Sequence, residues 1–405
     1  MAGVLDGVRV LEVATWIAMP AAGMLMADMG ADVVKVESLT GDTWRGSRTP
    51  RYGMAASPLG GNLTFEVDNR SKRSIAINLD HQEGRAVVQR LAAHADVLTT
   101  NLVQQRRQRY GLTYDELAAT NPRLIYAAFT GYGQLGPDRD RLGFDYTAFW
   151  SRSGALSGLG EPGQPPVAPH GTIGDHLSAP LLLAGILGAL YEREKSGRGQ
   201  LVQSSLLQAG LWANVAGMQR ALVTGEDQQP ISRLAPGNPL LNSYCAADGR
   251  WFFFVMNGPA DWPKVANAAG HPEWLDDPRF ATPDARAEHK VDLVGLLDVA
   301  FAEHDRDEWS RRFDEHGVIW GPVQRSSEAA ADPQVRANGY VAAVPHPTLG
   351  SYESVAVPLQ YSRSDVGPKG PAPAVGQHTR AVLAEAGYSA AEVEGLLQAG
   401  AVGAL

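Results

Sequence analysis

The stretch that decides the fold is residues 8–37, which read VRVLEVATWIAMPAAGMLMADMGADVVKVE. Its two ends, 8–14 and 31–37, are runs of strand length that are rich in valine. Residues 20–29 between them are rich in alanine and methionine, which favour a helix. A strand, a helix and a second strand in this order predict two neighbouring parallel strands with the helix packed on one face of the sheet.

The same alternation continues through the first half of the chain. Strands are predicted over 74–78, 96–100 and 124–129, and helices over 83–94 and 114–119. We therefore predict an α/β fold with a Rossmann-like, doubly wound parallel sheet. Ligands of such sheets bind beyond the carboxyl ends of the strands, which here are residues 16–18, 37–38, 78–80 and 101–103.

The length of 405 residues favours more than one domain, because a single core seldom grows to that size. Residues 226–238 are polar and rich in proline and glycine, as in a linker. An aromatic strand follows at 250–255, and helices are predicted over 261–269, 291–303 and 306–316. The predicted organisation is a large domain over 1–225, a smaller α+β domain over 226–333, and a C-terminal segment over 334–405 that returns to the large domain.

Composition limits the partners and the compartment. The formal net charge of −9 argues against nucleic acid and anionic membranes as partners. The single cysteine, Cys245, suits a reducing compartment, and the N-terminus lacks the pattern of a signal peptide. The longest apolar run, 179–191, contains two glycines and is short for a membrane span. These features predict a cytoplasmic protein with no membrane partner.

The motif GTIGDH at 171–176 places one carboxylate, Asp175, just before the apolar segment 181–191. A carboxylate at the mouth of a buried helix is poorly hydrated and can act as a nucleophile toward an activated acyl group. Aspartate is also a favoured N-cap residue, so the spacing alone leaves both roles open. Motifs typical of dinucleotide, P-loop, zinc and serine-hydrolase sites are missing from the sequence, which predicts no metal or redox cofactor.

Short motifs spread in order over almost the whole chain resemble the family III CoA-transferases. They are LDGVRVLE at 5–12, GADVVKVE at 30–37, GD at 41–42 with Arg45, KRSI at 72–75, Asn101, NPRLI at 121–125, GYG at 131–133, GFD at 143–145, GTIGD at 171–175, GRGQ at 197–200, GPV at 321–323 and GQHT at 376–379. Members of this family include CoA-transferases for oxalate, carnitine, aryl and 2-hydroxy acids, and also the 2-methylacyl-CoA racemases.

The resemblance implies a CoA-transferase that moves CoA from an acyl-CoA to a free carboxylic acid, with CoA as substrate rather than cofactor. It implies that Asp175 is the covalent nucleophile and that two chains form an interlocked homodimer. The residues that it implies in CoA binding are Ile17, Ala18, Ser38, Arg45, Ile77, Asn78, Leu79, Asp80, Asn101, Leu102, Val103 and Arg109.

Two departures from the family pattern raise specific questions. Ser38 stands where some transferases have an arginine that meets the adenine end of CoA, and Arg45 is the candidate substitute. The glycine-rich loop that shields the intermediates of the oxalate enzyme has no counterpart near residues 236–239. The sequence identifies neither the acyl-CoA donor nor the acid acceptor, although residues 146–154 resemble members that act on branched or aryl 2-hydroxy acids.

Two alternative functions follow from the same resemblance. The racemases use a histidine in a G-H-D motif, but the motif here reads Gly143-Phe144-Asp145, and phenylalanine cannot carry a proton. A racemase would therefore need His170 or His176 as its second base, and transfer is the preferred activity. A non-catalytic CoA-binding protein is the other alternative, and the presence of Asp175 argues against it.

Overall fold

The structure is a computed structural model that describes residues 2–46, 62–258, 260–347 and 349–405. It divides into two units. The first comprises Met1–Ala155, Pro169–Leu222 and Ala337–Leu405, and the second comprises Leu156–Ala168 and Val223–Arg336. The sequence assigned 156–168 to the large domain, whereas the structure groups this segment with the second unit. The domain boundaries that the sequence predicts after residues 225 and 333 stay predictions.

The strands of the described residues are β1 (Arg9–Val13), β2 (Asp32–Glu37), β3 (Arg73–Ile77), β4 (Val97–Thr100), β5 (Ile125–Thr130), β6 (Leu201–Ser205), β7 (Leu241–Cys245), β8 (Trp251–Val255), β9 (Trp320–Pro322), β10 (Val341–His346), β11 (Gly350–Val355) and β12 (Val402–Gly403).

The helices of the first unit before β6 are α1 (Ala18–Asp28), α2 (Leu63–Asn69), α3 (Gln82–Ala92), α4 (Gln104–Tyr110), α5 (Tyr114–Thr120) and α6 (Ile173–Ser196). A π-helical segment, Asp145–Ser151, precedes α6. The remaining helices are α7 (Leu206–Ala213), α8 (Val215–Thr224), α9 (Asp261–Ala268), α10 (Pro283–Glu288), α11 (Lys290–Phe301), α12 (Arg306–His316), α13 (Ser326–Ala331), α14 (Pro333–Ala337), α15 (Thr379–Glu385) and α16 (Ala390–Gln398).

The first unit contains a seven-stranded sheet in the order β12-β3-β2-β1-β4-β5-β6. β12 runs antiparallel to β3, and all other pairs are parallel. The six parallel strands have the order 3-2-1-4-5-6 that is typical of dinucleotide-binding folds. The predicted α/β class and parallel central sheet are confirmed.

Side chains of successive strand residues enter two separate cores, one on each face of the sheet. In β1, Val10 packs into the core that contains α1 and α6, whereas Leu11 packs into the core that contains α3, α15 and α16. This alternation follows from the pleat of a strand, and burial on both faces explains the near-continuous apolar runs. Every residue of α1 is buried, which accounts for its alanines and methionines.

The second unit contains the antiparallel sheet β7-β8-β9. Phe252 and Phe254 of β8 pack against Phe301 and Phe313, with ring centroids 5.0 to 6.2 Å apart. The predicted aromatic strand is confirmed, and α12 has the predicted bounds.

Three regions differ from the sequence-based expectation. Residues 201–215, an apolar run for which no element was predicted, form β6, α7 and the first residue of α8, since short apolar runs of strand and helix look alike in sequence. Residues 271–284, which lie between two predicted helices, contain a 3-10 turn, Pro272–Leu275, and the start of α10. The polar helix α4 was not predicted, because its residues QQRRQRY show no apolar periodicity.

The helix α6 is longer than the apolar run that predicted it. By length and composition alone it is the one helix of the described residues that is able to cross a membrane. The length of the run 179–191 therefore does not decide whether this helix spans a membrane, because the helix extends beyond the run at both ends. One face of α6 is buried in the core of the first unit through Leu182, Leu183 and Ile186, as in the core helix of a globular domain.

Candidate active site

Asp175 lies in the first turn of α6 and is not its N-cap residue. The N-cap is Thr172, which has a left-handed backbone with a φ of 74° and makes no side-chain capping hydrogen bond. This conformation is rare for a β-branched residue, and strain of this kind clusters at functional sites. The interpretation of Asp175 as an N-cap is wrong.

Gly174 lets the start of α6 approach the π-helical segment closely. A Cβ atom on this residue would lie 2.2 Å from Asp145 Oδ1 and 2.4 Å from Phe149 Cγ. Only glycine fits at such distances. The small residue before Asp175 therefore brings a second carboxylate, Asp145, beside the start of the helix.

Asp175 faces a cavity of about 90 Å³ at the carboxyl ends of β1, β4, β5 and β6. This acyl cavity, as we call it, is mostly apolar. Its lining residues are Trp16, Ile17, Ala18, Asn101, Phe129, Thr130, Gly131, Gly143, Phe144, Asp175 and Leu206. The structure thus brings together four of the predicted site residues, Ile17, Ala18, Asn101 and Asp175.

A second cavity, of about 380 Å³, lies at the carboxyl ends of β1, β2 and β3. It brings together six further predicted residues, Ser38, Ile77, Asn78, Leu79, Asp80 and Leu102. Val13, Ala14 and Thr15 line this cavity, and the next three residues of the chain line the acyl cavity. The two cavities therefore lie side by side along the carboxyl edge of the sheet, where the sequence predicted a crevice.

The arginine that lines the second cavity is Arg106 of α4 rather than Arg109. The exposed Arg109 forms an ion pair with Asp80, whose carboxylate lies 2.6 Å from the guanidinium. Val103, the N-cap residue of α4, lines neither cavity. Arg109 and Val103 thus do not line a cavity themselves, but Arg109 is paired with Asp80, which lines the second cavity.

Arg45 is held by protein groups. Its guanidinium donates two hydrogen bonds to the buried Glu37, at 2.7 and 2.6 Å, and one to the carbonyl of Pro373 at 2.7 Å. It also lies 4.2 Å from the centre of the Phe65 ring. Ser38 donates to the carbonyl of Gly41. In this structure Arg45 ties strand β2 to neighbouring segments, and it lines neither cavity.

A buried charge network fixes the loop after β1. Lys35 contacts Glu12 at 3.2 Å and Asp42 at 3.0 Å, and Lys72 contacts Glu12 at 2.9 Å. All four of these side chains are buried. Lys35 also donates to the carbonyl of Ala14. Buried charges are tolerated only when they are paired, so this network locks the adjoining loop in one arrangement.

Trp16 is the strained residue of that loop, with a φ of 68°. Its backbone N–H donates to Asp42, and Asn101 bonds both backbone groups of Thr15. The Trp16 ring packs edge-on against Phe144, with ring centroids 5.1 Å apart. The result is a rigid aromatic wall beside Asp175, made of Trp16 and Phe144.

The electrostatic surroundings of Asp175 disfavour its charged form. Burial, together with repulsion from Asp145, raises its pKa to about 8, although His176 acts in the opposite direction. Asp145 is itself buried, and burial raises its pKa despite the backbone N–H groups of Gly174 and Thr172. A poorly solvated carboxylate of raised pKa is typical of a reactive group in an active site.

His176 points away from the acyl cavity to α2, where its Nε2 lies 2.9 Å from Asp68. Burial lowers its pKa, but the hydrogen bond and charge of Asp68 outweigh burial and raise it to about 9. His170 is exposed. No histidine is among the described residues that line the acyl cavity, so the second base that a racemase needs is missing from this wall.

Several residues of the site escaped the sequence prediction. Asp42, Asp68 and Arg106 line the second cavity or hold residues of the site, whereas Trp16 lies in the crevice that the sequence predicted at residues 16–18. One signal was present for the charge network, since Glu12 interrupts an otherwise apolar strand that predicts burial on both faces. Among the described residues, no group of three or more His, Cys, Asp or Glu side chains is arranged to hold a metal ion.

The fold and the site together define an α/β enzyme with a carboxylate at the carboxyl edge of a Rossmann-like sheet. The model of CoA-transferase family III matches residues 5–379. The chain therefore belongs to this family and is a CoA-transferase.

Two characterised relatives are similar over nearly their whole length. One is (R)-2-hydroxy-4-methylpentanoate CoA-transferase of Clostridioides difficile, 31% identical over 95% of this chain and 96% of the relative. Another is succinyl-CoA–D-citramalate CoA-transferase of Chloroflexus aurantiacus, 35% identical over 94% and 93%. A crystal structure of a CaiB/BaiF family protein from Brucella suis superimposes with a TM-score of 0.85 at 29% identity, over 95% of this chain and all of that chain.

Proposed function

We propose that the protein transfers CoA through a covalent intermediate on Asp175. The observation that carries the proposal is the position of this carboxylate, in the first turn of α6 just after the strained N-cap Thr172 and on the wall of an apolar cavity. An anhydride keeps the acyl group activated, so a carboxylate nucleophile conserves the thioester energy that transfer requires.

The proposed reaction cycle needs only Asp175, the acyl-CoA and the acceptor acid, and it uses no cofactor. The Asp175 carboxylate attacks the thioester carbonyl, the C–S bond breaks, and a mixed anhydride and CoA thiolate form. The thiolate attacks the aspartyl carbonyl and releases the first acid, which leaves an aspartyl-CoA thioester. The carboxylate of the acceptor attacks this thioester to form a second anhydride and thiolate. The thiolate then takes the new acyl group and frees Asp175.

The aromatic wall supplies the shielding that the cycle needs. Anhydrides hydrolyse in water, and Trp16, Phe144, Phe129 and Leu206 present apolar surface around Asp175. The same surface favours a monocarboxylic acid with an apolar side chain. We therefore propose branched or aryl monocarboxylic acids, 2-hydroxy acids included, as substrates. The relative that acts on (R)-2-hydroxy-4-methylpentanoate agrees with this choice, whereas the relative named for D-citramalate acts on a more polar acid.

The test is trapping during turnover. The protein is incubated with acetyl-CoA, 4-methylpentanoyl-CoA or succinyl-CoA and a pool of free acids, and new thioesters are identified by mass spectrometry. Hydroxylamine added during turnover should convert Asp175 into a hydroxamate, which peptide mapping locates. Productive transfer with an unmodified Asp175 would refute the covalent route.

We also propose a homodimer in which the two chains interlock, located in the cytoplasm. One face of α6 and α7 supports the dimer because five apolar side chains on it are between 42% and 68% exposed. This α6–α7 stripe consists of Ile173, Leu177, Leu181, Tyr191 and Trp212. Exposed apolar patches of this kind mark interaction surfaces, and a second copy of the chain is the proposed occupant. The lone cysteine supports the location.

A further inference from the structure

The imidazole of His176 is held between two acceptors. Its Nδ1 lies 2.8 Å from the carbonyl oxygen of Thr172, and its Nε2 lies 2.9 Å from Asp68 Oδ1. A carbonyl oxygen only accepts hydrogen bonds, so Nδ1 carries a hydrogen. A neutral imidazole has no second hydrogen, and Nε2 faces a carboxylate oxygen. The geometry therefore fits an imidazolium paired with a carboxylate.

Two segments that are distant in sequence build this arrangement. Asp68 comes from α2 and its side chain is completely buried, whereas the side chain of His176 is 38% exposed. The left-handed backbone of Thr172 lets its carbonyl accept from both the backbone N–H and the ring of His176. The strained backbone of Thr172 thus helps to orient the His176 ring toward α2.

The charged groups around Asp175 come from three elements. Asp145 faces it from the π-helical segment, Asp68 from α2, and His176 follows it in α6. Lys72 and Lys35 act on Asp68 from a greater distance and are themselves bound to Glu12. His176 is the one cation among the described groups that acts directly on Asp175.

We propose that Asp68 and His176 form a positioning pair that keeps a positive charge beside Asp175, so that this carboxylate attacks as the anion. Neither residue lines the acyl cavity, and the pair acts only through Asp175. The inference rests on the proposed role of Asp175 as the nucleophile.

The pKa shifts of Asp175 and His176 agree with this role, while burial raises the pKa of Asp68 against the hydrogen bond and charge of His176, which lower it. Burial and Asp145 raise the pKa of Asp175 to about 8, and the charge of His176 opposes the rise. Asp68 raises the pKa of His176 to about 9, so the cation persists over the range in which Asp175 ionises. Without the cation, Asp175 would stay protonated to a still higher pH.

The experiment measures the exchange of isotopic label between 4-methylpentanoyl-CoA and free 4-methylpentanoate as a function of pH. For the wild type, kcat/KM should rise through an apparent pKa near 8 as Asp175 ionises. His176→Gln should move this acid limb upward by about one pH unit, which lowers kcat/KM about tenfold at pH 6.5 and leaves the plateau above pH 9 within about twofold. Asp68→Asn removes both charges of the pair and should give a smaller upward shift.

The matched control is His94→Gln, which makes the same substitution at an exposed residue near the amino ends of the strands. It should leave the profile unchanged. A plateau that falls by the same factor as the acid limb in His176→Gln, or an acid limb that stays in place, would overturn the positioning role.

A measurement on the wild type covers the case in which the buried Asp68→Asn variant does not fold. In histidine-selective ¹⁵N NMR, assigned with His176→Gln, both ring nitrogens of His176 should stay protonated at pH 8, at which a free imidazole is neutral. A neutral His176 at pH 7 would refute the pair.

Hydroxylamine trapping at pH 9 separates the proposed positioning pair from the proposed role of Asp175 as the nucleophile. A hydroxamate on Asp175 in both wild type and His176→Gln upholds the nucleophile whatever the pH profile shows, and a failure of trapping in the wild type rejects the nucleophile itself.

Discussion

At the scale of the residue, the chemistry depends on one carboxylate placed where water solvates it poorly. Asp175→Asn keeps the shape of the side chain but cannot form an anhydride, so CoA transfer should fall by at least about a thousandfold. CoA affinity should change little, since six of the predicted CoA-binding residues line the second cavity and Asp175 does not. Asp115→Asn, the same change in the first turn of α5, is the control. Transfer retained by Asp175→Asn above a few per cent would exclude it as the nucleophile.

The same substitution should stabilise the protein. Folding raises the pKa of Asp175 from 3.8 to about 8, so the wild type loses stability as the pH rises through this interval. Asp175→Asn does not titrate, and its advantage should grow from pH 4 to pH 8 and then stay constant, at ~1–2 kcal/mol after allowance for solvent screening. Urea unfolding at pH 4.5 and pH 8 measures the difference. An advantage that is equal at the two pH values would contradict the raised pKa.

Phe144 distinguishes CoA transfer from racemisation as the activity of this site, because its side chain cannot carry a proton. In the motif Gly143-Phe144-Asp145 it stands where the family resemblance predicts the histidine of a racemase, and its ring packs on Trp16. We expect a 2-methylacyl-CoA in D₂O to keep its chirality and its α-hydrogen, as chiral chromatography and mass spectrometry would show, while CoA moves to an added acid. Rapid racemisation without an acceptor acid would overturn the assignment.

At the scale of the element, the start of α6 depends on its contact with the π-helical segment. Gly174→Ala would press a methyl group against Asp145 and Phe149, which requires a shift of the helix start and costs ~1–3 kcal/mol. Gly395→Ala in α16 meets nothing within 4 Å and should be neutral or stabilising, by up to ~1 kcal/mol. Thermal unfolding compares the two. We expect kcat of Gly174→Ala to fall more than its CoA affinity, and equal effects of the two alanines would refute the contact.

The elements also show what the sequence was able to predict. Strands such as β1 and β2 and helices such as α12 follow from local periodicity, and their predicted positions are confirmed. The contact between Asp68 and His176 joins residues 108 positions apart, and no local pattern encodes it. The side chain of Arg45 illustrates the same limit. A motif predicted its presence near the site, but only the fold pairs it with Glu37.

At the scale of the whole molecule, the α6–α7 stripe tests the proposed dimer. Interlocked chains cannot separate without unfolding, so sedimentation velocity should find a dimer even at ~10 nM. Leu181→Glu places a charge in the middle of the stripe and should reduce the yield of folded dimer, because a buried unpaired carboxylate is costly. Leu135→Glu changes a side chain that is 87% exposed outside the stripe and should assemble normally. A folded monomer in reversible exchange with dimer would rule out interlocking, and unaltered assembly of Leu181→Glu would show that this face is not the interface.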